Sequence, residues 1–383
     1  MKVYLDNAAT TPLNEEVIEE MLKIMREGFG NPSSIHSDGR KTRAALEDAR
    51  KRVAKRINAS IGEIFFTSGG TESNNMAIKC AVRDLGVQRI ITSPVEHHCV
   101  LHTVERMDSE GVQVDLVPID GFGRPNYDAL ASMLADSNVK TLVSLMHANN
   151  EIGTVLDLKR VSMLCSEYGA FLHSDTVQTV GHLPIDVSQM TIHFLSGSGH
   201  KFHGPKGAGF IYINGDAQIK PFIDGGAQER NMRAGTENVY GIVGLAKALD
   251  MACDQLEERR NKIEDVRQYF KENLTSRFVD IRFEGDHDGD YLYTVLNVSF
   301  PANDKSELLL FNLDISGVSA SGGSACSSGA DAGSHVIKAI RQGSDRVNVR
   351  FSFSHYNTRE EVDFVLEKLA SILDQKPVAT WSE

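Results

Sequence analysis

Between about residue 60 and residue 215 the chain alternates short, almost wholly apolar runs with longer stretches in which apolar positions recur every three or four residues. The apolar runs cover residues 64–67, 89–92, 112–119, 141–146, 171–175, 192–195 and 209–213. They are too continuously apolar for strands with one wet face, and they fit a parallel sheet covered by helices on both sides. Residues 74–85 and 158–168, lying between such runs, have helical spacing. This alternation predicts an α/β domain with a mainly parallel, helix-covered sheet. Ligands of such sheets bind at the carboxyl ends of the strands, so the chemistry is expected in the loops that follow them.

Beyond Gly235 the pattern changes. Residues 237–278 read as one long helix, charged in its second half, that links two bodies. A strand over 291–300, a helix over 305–313, a Gly/Ser-rich stretch over 316–334, a strand over 347–353 and a helix over 359–373 then predict a smaller α+β domain.

Composition narrows the function classes. Charged residues make up 24% and hydrophobic ones 41%, ordinary values for a soluble globular chain. Fifty-two acidic against 40 basic residues leave a net charge of −12, which speaks against a broad surface for nucleic acid or anionic membrane. No apolar run nears the roughly 20 residues that span a bilayer, and the start, Met1-Lys2-Val3-Tyr4-Leu5-Asp6-Asn7, lacks a signal-peptide pattern. The five cysteines (80, 99, 165, 253 and 326) are scattered and form no Cys-x-x-Cys pair. A disulfide framework and a metal site are therefore not expected, and a reducing cytoplasm is. Four of the five sit in apolar, helical contexts and are expected in the core; Cys326 does not.

Several strand ends carry polar segments. In Thr67-Ser68-Gly69-Gly70-Thr71-Glu72-Ser73-Asn74, two glycines stand between a strand and a helix. Backbone N–H groups and the helix dipole suit an anion there, with the Thr71 hydroxyl as a further donor. No Gly-Lys-Ser/Thr follows, so it is not a Walker A loop; alone, it reads rather as a plain strand–helix turn with Thr71 as its N-cap. Residues 196–207 hold Ser198, His200, Lys201 and Lys206 in a glycine-rich loop. A lysine in a poorly solvated loop suits Schiff-base formation, and Ser198 and His200 suit a phosphate. The residue types leave Lys201 and Lys206 both open, and also a simple solvated loop. Asp175, in His173-Ser174-Asp175-Thr176-Val177-Gln178, can pair with a protonated pyridine nitrogen or cap the next helix, and Gln178 can donate to a ring hydroxyl. Glu96-His97-His98 and Asn149-Asn150-Glu151-Ile152-Gly153 also stand at strand ends. No one of these segments decides the chemistry; their order along the chain does.

Here the chain resembles, nearly end to end, the class V aminotransferase branch of the fold-type-I pyridoxal-phosphate enzymes, and most closely the cysteine desulfurases. Tyr4-Leu5-Asp6-Asn7-Ala8-Ala9-Thr10-Thr11-Pro12, Gly30-Asn31-Pro32-Ser33-Ser34-Ile35-His36 and Val349-Arg350-Phe351-Ser352 also carry the resemblance. It implies that Lys201 binds the cofactor covalently and that Gly70, Thr71, Ser198 and His200 hold its phosphate. His97 would stack on the ring, Asp175 pair with its nitrogen, and Asn150 and Gln178 touch it. Residues 225–236 resemble a segment lent to a neighbouring subunit, where Thr236 reaches the partner's phosphate; a homodimer is implied. Arg350 matches the arginine that clamps the substrate carboxylate, with Asn150 beside it; its alternative is a strand-surface arginine. The expected division is a large cofactor-binding domain over 14–255, and a small domain of 1–13 with 256–383 that carries the 316–334 loop.

Ser321-Gly322-Gly323-Ser324-Ala325-Cys326-Ser327-Ser328-Gly329-Ala330-Asp331-Ala332-Gly333 has almost no side chain to anchor it in a core. An accessible thiol is expected there, its thiolate the nucleophile, on a loop able to swing. The stretch resembles the Ser-Ser-Gly-Ser-Ala-Cys context of longer-loop desulfurases that supply iron–sulfur cluster assembly, and lacks the Arg-x-Gly-His-x-Cys context of the shorter-loop class. The implied reaction converts L-cysteine to L-alanine and a persulfide on Cys326, with Lys201 and His97 moving protons and the sulfur passing to an acceptor such as an iron–sulfur scaffold. Rivals are a selenocysteine lyase or an aminotransferase on the same fold, for which Cys326 is dispensable, and a non-catalytic sulfur carrier, against which the intact Lys201, Asp175 and Arg350 speak. Departures are Phe353-Ser354-His355, where many relatives have a Gly-Arg pair, and the tail 375–383, which resembles no scaffold-docking tail.

Overall fold

The computed structural model describes residues 1–322, 333–341, 343 and 345–374. Its strands are β1 (Val3–Tyr4), β2 (Ile64–Thr67), β3 (Arg89–Thr92), β4 (Gln113–Leu116), β5 (Thr141–Ser144), β6 (Phe171–Asp175), β7 (Phe194–Ser198), β8 (Gly209–Ile213), β9 (Arg282–Glu284), β10 (Val295–Phe300), β11 (Val318–Ser319) and β12 (Val347–Ser352). Seven of them form one sheet in the order β2-β8-β7-β6-β5-β3-β4. Its pairings are parallel except for the two made by β8. The protein is thus an α/β molecule with a mainly parallel, helix-covered sheet.

Why the runs are continuously apolar is visible in how the strands alternate. Phe66, Ile91, Val143, Leu195 and Phe210 enter one core, with Leu46, Val53, Leu245 and Leu249 from helices Ser37–Arg56 and Val239–Asp254. Their neighbours Phe65, Ile90, Leu142, Phe194 and Ile211 enter another, with Met76, Ile78 and Val104 from helices Gly70–Leu85 and His98–Ser109. Both sheet faces are buried, so the period of two carries no polar half.

A second body surrounds the antiparallel sheet β12-β10-β9. Phe270 meets Phe351 edge-on at 4.9 Å and Phe353 at 5.9 Å, contacts worth about 0.5–1.5 kcal/mol each beyond burial. Helices Leu256–Arg277 and Arg359–Leu373 cover this sheet, and Val3 and Leu5 join its core. We propose that the two bodies are the two domains, meeting near Gln255, with the N-terminal strand belonging to the smaller one.

Several elements differ from the sequence expectation. The single helix over 237–278 is two helices, because the backbone leaves helical geometry at Gln255 (φ −108°, ψ 17°). The first half is apolar on most sides and buried in the large-sheet core, whereas the second is charged and buries one stripe, Ile263, Val266, Phe270 and Leu274, in the other core. They cannot share one axis and bury the right faces. Helices Glu15–Glu27 and Ser37–Arg56 stand where no element was expected. The β1–β11 pair, two residues per strand, is too short to leave a periodic signal.

Candidate active site

Four of the parallel strands end around one cavity of about 240 Å³. Gly70, Thr71, His97, Asn150, Asp175, Gln178, Ser198, His200, Lys201 and Arg350 all line it. Thr236 does not; it is exposed on its own chain. Cys326 lies outside the described residues.

One end of the cavity suits an anion. β2 turns through Gly69 (φ +153°, a conformation that favours glycine) into the helix Gly70–Leu85, whose N-terminus has no side-chain cap. The first N–H groups of a helix have no intrahelical acceptor, and here Gly70 and Thr71 line the cavity. Gly70 must lack a side chain, since a Cβ there would stand 2.4 Å from Val177 Cγ2. Ser198 ends β7, and His200 follows it with its Nδ1 engaged by Thr10 Oγ1 at 3.1 Å. Burial, helped by the Lys201 and Lys206 charges, pushes the His200 ring down to about 4, so it is neutral at pH 7.

Lys201 sits one residue further on, its Nζ donating to the carbonyls of Ala8 (2.6 Å) and Ala9 (2.9 Å). The N-terminal segment straps down this loop, with Thr11 donating to His200 O from both N and Oγ1. Those alanine carbonyls could not be anticipated from sequence spacing. Gln178 Nε2 donates to Ala8 O at 3.0 Å, adding to the same strap.

Asp175, also in the cavity wall, terminates β6 and is 6% exposed. Oδ1 accepts from Val177 N (3.0 Å) and Ser196 Oγ (3.3 Å), and Oδ2 from Asn74 Nδ2 (2.7 Å). The carboxylate thus caps the next turn and lines the cavity at once. Asn74 is a residue that sequence reasoning placed only as a helix start.

His97 is the N-cap of the helix His98–Ser109, its Nδ1 accepting from Cys99 N at 3.1 Å. That leaves the ring proton on Nε2. Burial lowers its imidazolium range, with Lys201, His335 and His102 adding to the effect and Asp175 opposing it. Cys99, expected in the core, is instead half-buried in the cavity wall with Sγ 3.0 Å from His97 Nδ1. Position in the first turn after a cap that points inward carries it there. Burial, with Asp175 adding to it, pushes its thiol up to about 12, so it stays a thiol. Beneath His97, Glu96 is buried, accepting from Met146 N at 2.8 Å through Oε1. Burial raises its carboxyl far above the usual range.

Arg350, on β12, is 1% exposed, so it is not a strand-surface arginine. Nη1 donates to Asn150 O (2.9 Å) and Nη2 to Asp6 Oδ1 (2.8 Å). Its Nε is buried without a hydrogen-bond partner among the described residues. A guanidinium has five N–H donors, so donors remain beyond these two bonds, and Arg350 lines the cavity. The same strand position holds the start of the 316–334 stretch, since Arg350 N donates to Ser321 O at 2.7 Å. The departure at residues 353–355 lies away from the cavity, with His355 edge-on to His203 at 4.8 Å.

The family model of class-V aminotransferases matches residues 3–365. The chain belongs to that family. Among its class-V relatives, a cysteine desulfurase IscS of Dictyoglomus turgidum is 43% identical, over 98% of this chain and 95% of the relative. The cysteine desulfurase NifS of Azotobacter vinelandii is 39% identical, over 97% and 93%. Among solved structures, a NifS-like protein superposes with a TM-score of 0.89 at 36% identity, covering 98% of this chain and all (100%) of that one. A structure described as SspA in complex with cysteine gives a TM-score of 0.79 at 31% identity, over 94% and 100%.

Proposed function

We propose that the chain is a pyridoxal-phosphate-dependent cysteine desulfurase. One observation carries this: an uncapped helix N-terminus, a lysine amine, a hydrogen-bonded carboxylate and a buried arginine face a single cavity. That donor set fits pyridoxal phosphate, an anion at one end and a basic ring nitrogen at the other. Gly70, Thr71, Ser198 and His200 would hold its phosphate, Asp175 would pair with its ring nitrogen, His97 would lie against the ring, and Asn150 and Gln178 would contact it. When bound through Lys201, the cofactor supplies an electron sink for charge developing at the substrate Cα.

The protein's own groups do the rest. Arg350 binds the carboxylate of L-cysteine with the N–H donors that Asn150 and Asp6 leave available, and so orients the substrate. Lys201 Nζ takes the Cα proton. His97, held at Nδ1, keeps Nε2 for proton movement near the sulfur. The Cys326 thiolate attacks the substrate sulfur; a sulfur–sulfur bond forms as the carbon–sulfur bond breaks, Cβ takes a proton, Cα recovers the one held by Lys201, and L-alanine leaves. The persulfide then passes to an acceptor protein such as an iron–sulfur scaffold, a step supported by the Ser-Ala-Cys context of the loop.

The active unit is a homodimer in this proposal. Thr236 stands outside its own cavity on a segment fixed by Arg233 to Glu72 (2.8 Å) and by Glu229 to Arg50 (2.6 Å); in this reading it reaches the phosphate site of a second copy. A reducing, cytoplasmic setting is supported by the unpaired state of Cys80, Cys99, Cys165 and Cys253. No helix among the described residues is long and apolar enough to cross a membrane. The test is product analysis: purified protein supplied with pyridoxal phosphate, L-cysteine and a reductant should release alanine and sulfide in equal amounts. Pyruvate and ammonia in place of alanine would refute the assignment.

A further inference from the structure

Beneath the cavity a line of buried polar side chains runs from β5 to Asp175. Ser144 Oγ lies 2.8 Å from His173 Nδ1, His173 Nε2 lies 3.1 Å from Asn74 Oδ1, and Asn74 Nδ2 lies 2.7 Å from Asp175 Oδ2. Ser144, His173 and Asn74 are each 0% exposed. None of them is used by the chemistry proposed above except through Asp175.

The direction of these bonds follows from what each group can do. An ionised Asp175 only accepts, so the atom facing it must be the NH₂ of Asn74. The second hydrogen of that NH₂ points at Cys99 Sγ, 3.2 Å away. Asn74 Oδ1 then needs a donor, and His173 Nε2 is the group within reach. Burial pushes the His173 ring down to about 4, so at pH 7 it has one N–H. That proton sits on Nε2, which leaves Nδ1 to accept from the Ser144 hydroxyl. The opposite tautomer would set the Nε2 lone pair against Asn74 Oδ1. Turning the amide over to relieve this would set Oδ1 against the carboxylate.

We propose that Ser144, His173 and Asn74 are positioning residues that form a one-directional hydrogen-bond relay. The relay holds Asp175 as an acceptor aimed at the cavity and thereby keeps the cofactor's ring nitrogen protonated. This rests on the reading of Asp175 as the partner of that nitrogen. Buried side-chain chains of this kind act as a unit because each bond polarises the next.

The test uses the holoenzyme reconstituted with ring-¹⁵N pyridoxal phosphate, with the nitrogen chemical shift and the cofactor dissociation constant as readouts. Asp175→Asn should move the shift to the deprotonated range. His173→Phe, which cannot donate, should move it in the same direction and weaken cofactor binding about 10-fold, the loss of the buried hydrogen bond to Asn74 Oδ1. His173→Gln, which can donate, should stay within about 3-fold of the native affinity. A native shift and affinity in His173→Phe, alongside an altered Asp175→Asn, would overturn the relay while sparing Asp175. An unaltered Asp175→Asn would overturn the role of Asp175 and the relay with it. A measurement free of any variant is imidazole ¹⁵N spectroscopy of the native protein, where His173 should show the proton on Nε2; a proton on Nδ1 would overturn the proposal.

Discussion

Replacing Arg350 by lysine isolates the proposed substrate clamp. The guanidinium is buried, gives one N–H to Asn150 O and one to Asp6 Oδ1, and keeps Nε unengaged. A carboxylate arriving in the cavity can accept from the remaining donors along one edge in a planar, two-bond contact. A lysine ammonium is a single point with three donors and cannot reach Asn150, Asp6 and a substrate together. The variant therefore loses at least one charge-assisted hydrogen bond to the substrate, roughly 1.5–3 kcal/mol. That corresponds to cysteine binding weakened by roughly 10- to 150-fold. Because the contact is the same before and during the reaction, KM should rise by that factor with kcat little changed. Initial rates of alanine release over a range of cysteine concentrations give both constants, and the visible absorbance of the bound cofactor should be unaltered. A KM within two-fold of the native value would refute the clamp.

Lys201→Ala should abolish the visible absorbance of the lysine-bound cofactor and alanine release together, measured by spectrophotometry after reconstitution; an unchanged spectrum would transfer the role to Lys206. Arg50→Met should cost about 3–5 kcal/mol in urea unfolding, because it leaves Glu229, 4% exposed and also bonded to Phe66 N, as an unpaired buried charge. The double variant Arg50→Met/Glu229→Gln should recover part of that loss. Burial holds His147, His173 and His203 at about 4 against the ordinary 6.5. Below about pH 6.5 the unfolded chain takes up protons that the folded one refuses, so stability is full above that value and falls as pH drops toward 4. Each ring should cost roughly 2 kcal/mol by pH 5, and urea midpoints at pH 7.5 and pH 5 check it.

Most of the sheet was legible because β2, β3, β6 and β8 are buried on both faces, which turns each strand into a short apolar run with distinct ends. The helix Ser37–Arg56 was not, because it buries a narrow stripe (Leu46, Ala49, Val53) amid charged residues, and its stability comes from packing on Val239–Asp254. At the site, residues flanked by glycines or standing directly at strand ends were recognisable. Asn74 and His173 were not separable from ordinary helix and strand positions, since their task appears only when β5, β6 and the helix Gly70–Leu85 pack together. The Ala8 and Ala9 carbonyls act through backbone atoms, which leave no mark in residue type. Gln255 broke the expected long helix for a reason of tertiary burial, invisible to local spacing.

In the proposed reaction sulfur leaves the substrate for the Cys326 thiol. A single turnover with ³⁴S-labelled L-cysteine, followed by mass spectrometry of non-reduced peptides, tests it directly. One labelled sulfur atom should appear on the peptide containing Cys326, matched by one alanine per chain, and Cys326→Ala should keep the bound cofactor but yield neither persulfide nor sulfide. Label on the peptides of Cys80, Cys99, Cys165 or Cys253 instead, or unimpaired sulfide release by Cys326→Ala, would contradict the account.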